Sequence, residues 1–316
     1  MFRVLVLNAV LLVLSVVSLS EASSQRSQPA ATRVALIDFI QGKADSGASL
    51  LDSGLREALS RDDRLVVIDR SMMQAALTGV GYAGSLNMTR DEARRVGSAI
   101  GCDFFIVGKT EALTRSERER ESHEDAYAAV LIVDGRTGAL AAFDFISEKA
   151  VTRESAINAV SKILASRAAS YVDRMLAHRD SSQAPPRTLN EPIEDIPEEG
   201  SPRADGFTPP EILNRVRPEY SPQAERADIT ATVEALAVLR ASGEVGDVEI
   251  TRWGGFGLDE SAEHAIRQLK FKPATRDGKA INVRALIRYN FRRLTEPGSP
   301  REGSLRVPAL AGSGEF

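Results

Sequence analysis

The feature that most constrains the fold lies near the C-terminal end of the chain. Ile281, Val283, Ala285, Ile287, Tyr289 and Phe291 alternate without a fault, with Asn282, Arg284, Arg288 and Asn290 between them and only Leu286 breaking the polar set. A two-residue period over that length is a strand with one face on a core and one face in water. A sheet and a covering layer must therefore be found nearby. Ile229, Ala231, Val233, Ala235, Ala237 and Leu239 supply a second alternating strand, Ala241-Ser242-Gly243-Glu244 a turn, and Val245 to Trp253 the return. Leu258, Ala262, Ala265, Ile266 and Leu269 fall on one face of a helix, for which Asp259 is the expected cap. Gln223 to Ala227 forms a short helix after Pro222, and Asp277-Gly278 makes the turn into the last strand. Trp253-Gly254-Gly255-Phe256-Gly257 reads as a flexible connection within this unit.

An earlier segment, 32–178, has a different rhythm. Val34 to Ile40 is a continuous apolar run, as in a strand covered on both faces. Leu51, Leu55, Ala58 and Leu59 repeat at helical spacing, and Leu65 to Ile68 is a short strand. Thr89-Arg90-Asp91-Glu92 is a capping box, in which the Thr hydroxyl and the Glu carboxylate each satisfy a backbone N–H of the first turn. Ala93, Val96 and Ile100 mark the buried stripe of that helix, and Gly101 stands where its C-cap belongs. Phe104 to Val107 is a strand, Tyr127–Val133 and Ala139–Ile146 a hairpin, and one long helix carrying Ala156, Val160, Leu164, Tyr171 and Met175 closes the domain.

The whole chain is expected to be α+β: an N-terminal α/β sandwich at 32–178, a Pro-rich acidic linker at 179–208, a small antiparallel sheet with two helices at 209–294, and a disordered tail at 295–316. Seven of the fourteen prolines fall in 181–210. Fully extended, such a linker would separate the domains by on the order of 90 Å at about 3.1 Å per residue.

Residues 1–22 carry Arg3, then an apolar run from Val4 to Leu19, then Ser20-Glu21-Ala22. This reads as a signal peptide cut between Ala22 and Ser23; the alternative is an uncleaved membrane anchor. Either places the rest of the chain in the periplasm or cell envelope. A net charge of −4 with no strongly basic stretch argues against nucleic acid as a partner.

Chemistry is sparse. Cys102 is the only cysteine and reads as a small core residue. Gly79 to Gly84 spells G-x-G-x-x-G but follows a helix start rather than a strand, so a nucleotide is not expected. The three His neither pair at helical spacing nor join a Ser/Asp set. No catalytic residue, metal site or cofactor is expected, and the chain is not read as an enzyme.

The stretches RVRPEYSPQAERA (215–227), TVEALAVLRASGEVGDVEITRW (232–253) and LDESAEHAIRQLKFKPATRDGKAINVRALIRYNF (258–291) together resemble the TonB C-terminal domain. Ser221, inserted between Tyr220 and Pro222, and Ala231, where a Gly is usual, are departures. The resemblance implies capture of an extended peptide from an outer-membrane TonB-dependent receptor, or another envelope protein, by the sheet edge. Carried over, that edge is Ile281, Val283, Arg284, Ala285, Ile287, Arg288 and Tyr289. Arg284 and Arg288 would meet acidic groups on the partner, or else simply solvate the edge. Energy-coupled transport through an inner-membrane ExbB/ExbD-type motor would follow from the resemblance only with an uncleaved anchor; the alternative is a periplasmic assembly scaffold without energy transduction. VALIDF (34–39), LVVIDRSMMQAAL (65–77) and TRDEARRVGSAIGCDFFIVGKTEAL (89–113) resemble, more generically, the CsgG/FlgO/LpoB-like group of envelope domains.

Overall fold

The computed structural model describes residues 31–42, 47–115, 123–182, 192–214 and 216–293. The cleavage positions Ala22 and Ser23 and the tail at 295–316 lie outside them. Thr32 onward forms one compact unit. Among the described residues, no helix is long and apolar enough to cross a membrane.

The N-terminal lobe is built on a mixed sheet. Its strands are β1 (Thr32–Leu36), β2 (Ile40–Gln41), β3 (Leu65–Val67), β4 (Phe104–Arg115), β5 (His123–Asp134) and β6 (Leu140–Ala150). Their order is β3-β1-β4-β5-β6, with β2 beside the far end of β4. The β3-β1-β4 part is parallel and the β4-β5-β6 part antiparallel. Helices α1 (Ala48–Ser60), α4 (Arg153–Ser166) and α5 (Ala168–Ser182) cover one face, meeting Leu36, Ile106, Ala128, Val130 and Ile132. Helices α2 (Arg70–Gly79) and α3 (Arg90–Ile100) cover the β1-β4 part of the other, against Ala35, Phe105, Val107 and Val133.

Local signals explain these elements. The capping box at Thr89 is formed, with Glu92 N–H donating to Thr89 Oγ1 at 3.1 Å and Thr89 N–H to Glu92 Oε2 at 2.7 Å. Gly101 closes α3 in the left-handed region, φ 71°. Asp69 caps α2 through the Ser71 and Met72 N–H groups. The single long helix expected after β6 is two helices instead. The chain breaks at Arg167, whose guanidinium turns back to both carboxylate oxygens of Asp144, at 2.6 and 2.8 Å.

The C-terminal lobe holds β8 (Phe207–Thr208), β9 (Glu211–Ile212), α6 (Pro222–Arg226), β10 (Ala231–Leu239), β11 (Val245–Arg252), α7 (Leu258–Arg267), β12 (Phe271–Lys272), β13 (Ala274–Arg276) and β14 (Lys279–Phe291), preceded by β7 (Ile193–Asp195). The main sheet runs β11-β10-β14-β13-β8, with β7 also on β14. The alternation read from the sequence is realised: Val283, Ala285, Ile287, Tyr289 and Phe291 are buried, while Arg284, Arg288 and Asn290 face out. Their cross-strand neighbours Val233, Ala235 and Ala237 line the same core, which α6 and α7 close.

Asp259 does not cap α7. The N-cap is Gly257, and the Asp259 carboxylate reaches back to the N–H groups of Gly254 and Gly255 at 2.7 and 2.8 Å. Burial pushes its pKa up to about 7, against those two hydrogen bonds, which lower it. The loop it holds, expected as a flexible connection, is packed into the core. Gly255, Phe256 and Gly257 all take positive φ, and Trp253 and Phe256 are fully buried.

Those two aromatics join the lobes. The outer half of the N-terminal sheet, left uncovered by α2 and α3, presents Tyr127, Ala129, Phe143 and Phe145, and the C-terminal lobe seats on them. Phe256 lies 5.2 Å from Phe143 and 6.3 Å from Phe145, ring centre to ring centre. Trp253 enters the core around α2 and α3, and its indole N–H donates to Gly138 O at 3.1 Å. Gly138 must be glycine: it has φ +71°, and a Cβ would meet Arg90 O at 2.0 Å. Lys109 Nζ donates to Ala227 O at 3.0 Å, Arg226 to Ser147 Oγ at 2.6 Å, and Arg90 pairs with Glu249. The C-terminal lobe thus completes the second layer of the N-terminal sandwich. The two lobes share a core, so the reach of a fully extended linker is not used. Helix α5 runs to Ser182, and residues 193–208 supply strands to the C-terminal sheet.

Candidate functional site

β14 has two flanks. β10 occupies one from Phe291 to Val283. On the other, β13 pairs with Lys279–Ile281 and β7 with Asn282–Arg284. Among the described residues, no strand pairs with Ala285–Phe291 on that side. The open edge expected over 281–291 is therefore shorter and begins at Ala285. The reason is the segment Pro192-Ile193-Glu194-Asp195-Ile196-Pro197, expected as linker, which adds a short strand whose carboxylates meet Arg276 and Arg284.

Of the residues expected at the edge, Val283, Ala285, Ile287 and Tyr289 turn their side chains into the core; the main chain of Val283 is taken by β10 and β7, and for the other three only main chain could meet a neighbour. Ile281 is half-buried and paired to Ala274. The Tyr289 hydroxyl donates to Val216 O at 3.3 Å, and burial pushes its pKa up to about 12. Arg284 and Arg288 lie on the wet face, and both have partners within the chain. Arg288 Nε donates to Glu234 Oε1 at 2.7 Å, from directly across the strand pair. Arg284 Nη1 lies 3.4 Å from Asp195 Oδ1 of β7. Leu286 is explained by its neighbour across the ladder, Leu236, which gives the wet face a small apolar centre.

Two residues of this site escaped the alternation analysis. Arg276, at the end of β13, donates from Nε and Nη2 to Glu194 Oε2 at 2.9 and 2.7 Å, which raises its pKa above the usual guanidinium value. From Nη1 it also donates to Arg203 O and Asp205 O, at 3.1 and 3.2 Å, and it sits 5.4 Å over the Phe207 ring. Glu194 was hidden in an acidic run. The only local signal is the pair of Ile residues inside a Pro-bracketed acidic run.

Other chemistry is engaged in structure. A polar depression of about 350 Å³ is lined by Asp38, Asp52, Arg56, Asp69 and Arg70. Asp38 accepts from Arg70 and Gln74, and Asp52 from the Phe39 N–H at 3.1 Å. Burial pushes the Asp52 pKa up to about 6. Burial likewise pushes the Cys102 thiol up to about 12, which keeps it protonated near the Gly97 carbonyl. Gly79 ends α2 and the glycines after it lie in a loop, without the strand-turn-helix order of a nucleotide site. Among the described residues, no group of His, Cys, Asp and Glu is arranged to hold a metal ion.

The C-terminal lobe is an α+β unit, a largely antiparallel sheet backed by two helices. Residues 216–292 match the family described as the Gram-negative bacterial TonB protein C-terminal. The C-terminal lobe is thus a domain of the TonB C-terminal type. No curated protein sequence matches the chain. Similar solved structures include the hypothetical protein CT253 from Chlamydia trachomatis, with 11% identity and a TM-score of 0.33 over 47% of this chain and 99% of that one. Lipoprotein GNA1162 from Neisseria meningitidis has 14% identity and a TM-score of 0.32, over 46% and 99%. The LpoB C-terminal domain from Escherichia coli has 11% identity and a TM-score of 0.28, over 37% and 82%.

Proposed function

We propose that the chain is a non-enzymatic protein-binding module of the periplasm or cell envelope. It engages an outer-membrane receptor or another envelope protein by pairing an extended partner segment with Ala285–Tyr289 of β14. The observation that carries this reading is the stretch Ala285–Tyr289 of β14, which no strand among the described residues pairs on the flank away from β10, in a lobe of the TonB C-terminal type. Unpaired main-chain N–H and C=O groups along a strand form a template for a further strand, with affinity from the ladder and selectivity from the flanking side chains.

A second reading, an assembly scaffold without energy transduction, is favoured by the shared core. Trp253 and Phe256 hold the binding lobe against the N-terminal sheet, which suits a fixed platform better than a module on a long tether. Both readings use the same edge.

Deleting β14 would remove the centre of the sheet, so the binding test must leave it in place. A photo-crosslinking side chain at Arg288 or Asn290, in intact cells, is expected to trap an extended segment of an envelope protein. The same group at Ser242, in the β10-β11 turn, is the control. Equal trapping from Ser242 would refute the edge as the binding surface.

A further inference from the structure

The chain already seats a strand of its own on the flank of β14 that the proposed function assigns to a partner, directly before the open stretch that begins at Ala285. β7 runs parallel to β14, with Ile193 opposite Asn282, Glu194 opposite Val283 and Asp195 opposite Arg284. Arg276 holds the Glu194 carboxylate and Arg284 faces that of Asp195. Asn282 Nδ2 donates to Pro192 O at 3.3 Å, and Ile196 packs against the small core around Phe271, Val283 and Ala285. The ladder is short for a clear reason. Pro192 and Pro197 bracket the segment and have no N–H to give, so it cannot run on along Ala285–Phe291.

We infer that Ile193–Asp195 is a tethered resident of the partner edge, and that it displays the partner's chemistry. The partner is an extended acidic peptide running parallel to β14. It places adjacent carboxylates at Arg276 and Arg284, followed by an apolar residue at the Ile196 position. Having no proline there, it displaces the resident and continues over Ala285–Tyr289. The existence of a natural partner rests on the proposed function; the occupancy of the edge does not. Each side of the exchange has its own advantage. The resident is always present, at an effective concentration on the order of millimolar for a short tether. The competitor makes a longer ladder. The ion pairs are partly exposed, so they select the sign of charge more than they add affinity.

The probe is a labelled synthetic peptide with the sequence of residues 192–196 continued by Thr-Val-Thr-Val in place of Pro197 and beyond. Its binding to the full chain is read by fluorescence anisotropy. Its control carries Lys at both acidic positions. The acidic peptide is expected to bind about tenfold more tightly than the control. The double variant Glu194→Lys/Asp195→Lys, which releases β7, should strengthen that binding by about another tenfold. The milder Glu194→Gln/Asp195→Asn, which keeps the side-chain shapes, should fall between. Without peptide, the release should speed hydrogen exchange at Asn282–Arg284, and added peptide should slow it again. Trp253 fluorescence reports that the variants remain folded. If the acidic and Lys peptides bind alike, or if neither variant binds more tightly than the natural chain, the inference is overturned. Failure to trap a partner from Arg288 or Asn290 would sink the proposed function while leaving these peptide results intact.

Discussion

Asn87 bonds Thr232 through both ends of its side-chain amide: Nδ2 donates to Thr232 O at 2.8 Å, and Thr232 N–H donates to Oδ1 at 3.0 Å. Nδ2 also donates to Trp253 O at 2.8 Å. One N-terminal side chain thereby satisfies the main chain of both β10 and the end of β11. Asn87→Ala strands these groups in a half-buried seam and is expected to cost about 2–3 kcal/mol in chemical denaturation. Asn87→Asp, which turns donors into acceptors facing two carbonyls, is expected to cost at least as much.

Trp253 belongs by sequence to the C-terminal lobe and by packing to the N-terminal core. Trp253→Ala is expected to lower stability by about 3–5 kcal/mol. In the natural chain, probes placed in the two lobes should report a single shared unfolding transition. In the variant, the two probes should separate. Separate transitions in the natural chain would contradict the shared core.

Asp259 links stability to pH. Its pKa is raised from 3.8 to about 7, with burial the largest cause, so between those values the folded chain holds a proton that the unfolded chain has released. Its contribution is full below about pH 4 and is lost as pH rises through about 7, at no more than about 1.4 kcal/mol per pH unit. Asp259→Asn removes this titration and one of the two acceptors for the Gly254 and Gly255 N–H groups. The stability difference between natural chain and variant should shrink from pH 4 to pH 7. A flat difference would show that Asp259 is ionised throughout.

Arg288→Ala removes a half-exposed cross-strand pair with Glu234 and is expected to cost under about 1 kcal/mol by thermal or urea unfolding. Any larger loss of partner capture in this variant would therefore reflect binding rather than folding.

The strands and helices with strong periodicity were legible in the sequence, because burial on one face imposes a period that few other constraints disturb. The Thr89 capping box, the Gly101 C-cap and the inner face of β14 all took their expected places. What stayed hidden depends on neighbours distant in the chain. The closing helix divides at Arg167, whose guanidinium meets Asp144 on β6. Asp259 caps nothing because the N–H groups of Gly254 and Gly255 come within its reach first. The glycine-rich loop at 253–257 has the composition of a hinge, and its restraints, the aromatic patch on β5 and β6 and the Asp259 carboxylate, come from packing. The same holds at the edge. Arg284 and Arg288 were readable as outward charges, but Glu194 and Arg276 become a pair only once β7 lies on β14.

The face formed by Tyr127, Ala129, Phe143 and Phe145 also bears on how the chain is made. It is assembled from a hairpin of near neighbours in sequence, so it can form early, yet its cover arrives only with Phe256, more than a hundred residues later. During synthesis from the N-terminus the first lobe must wait with a sticky surface exposed, and the second lobe folds against it as on a template. Truncation before Trp253 would leave that waiting state permanent.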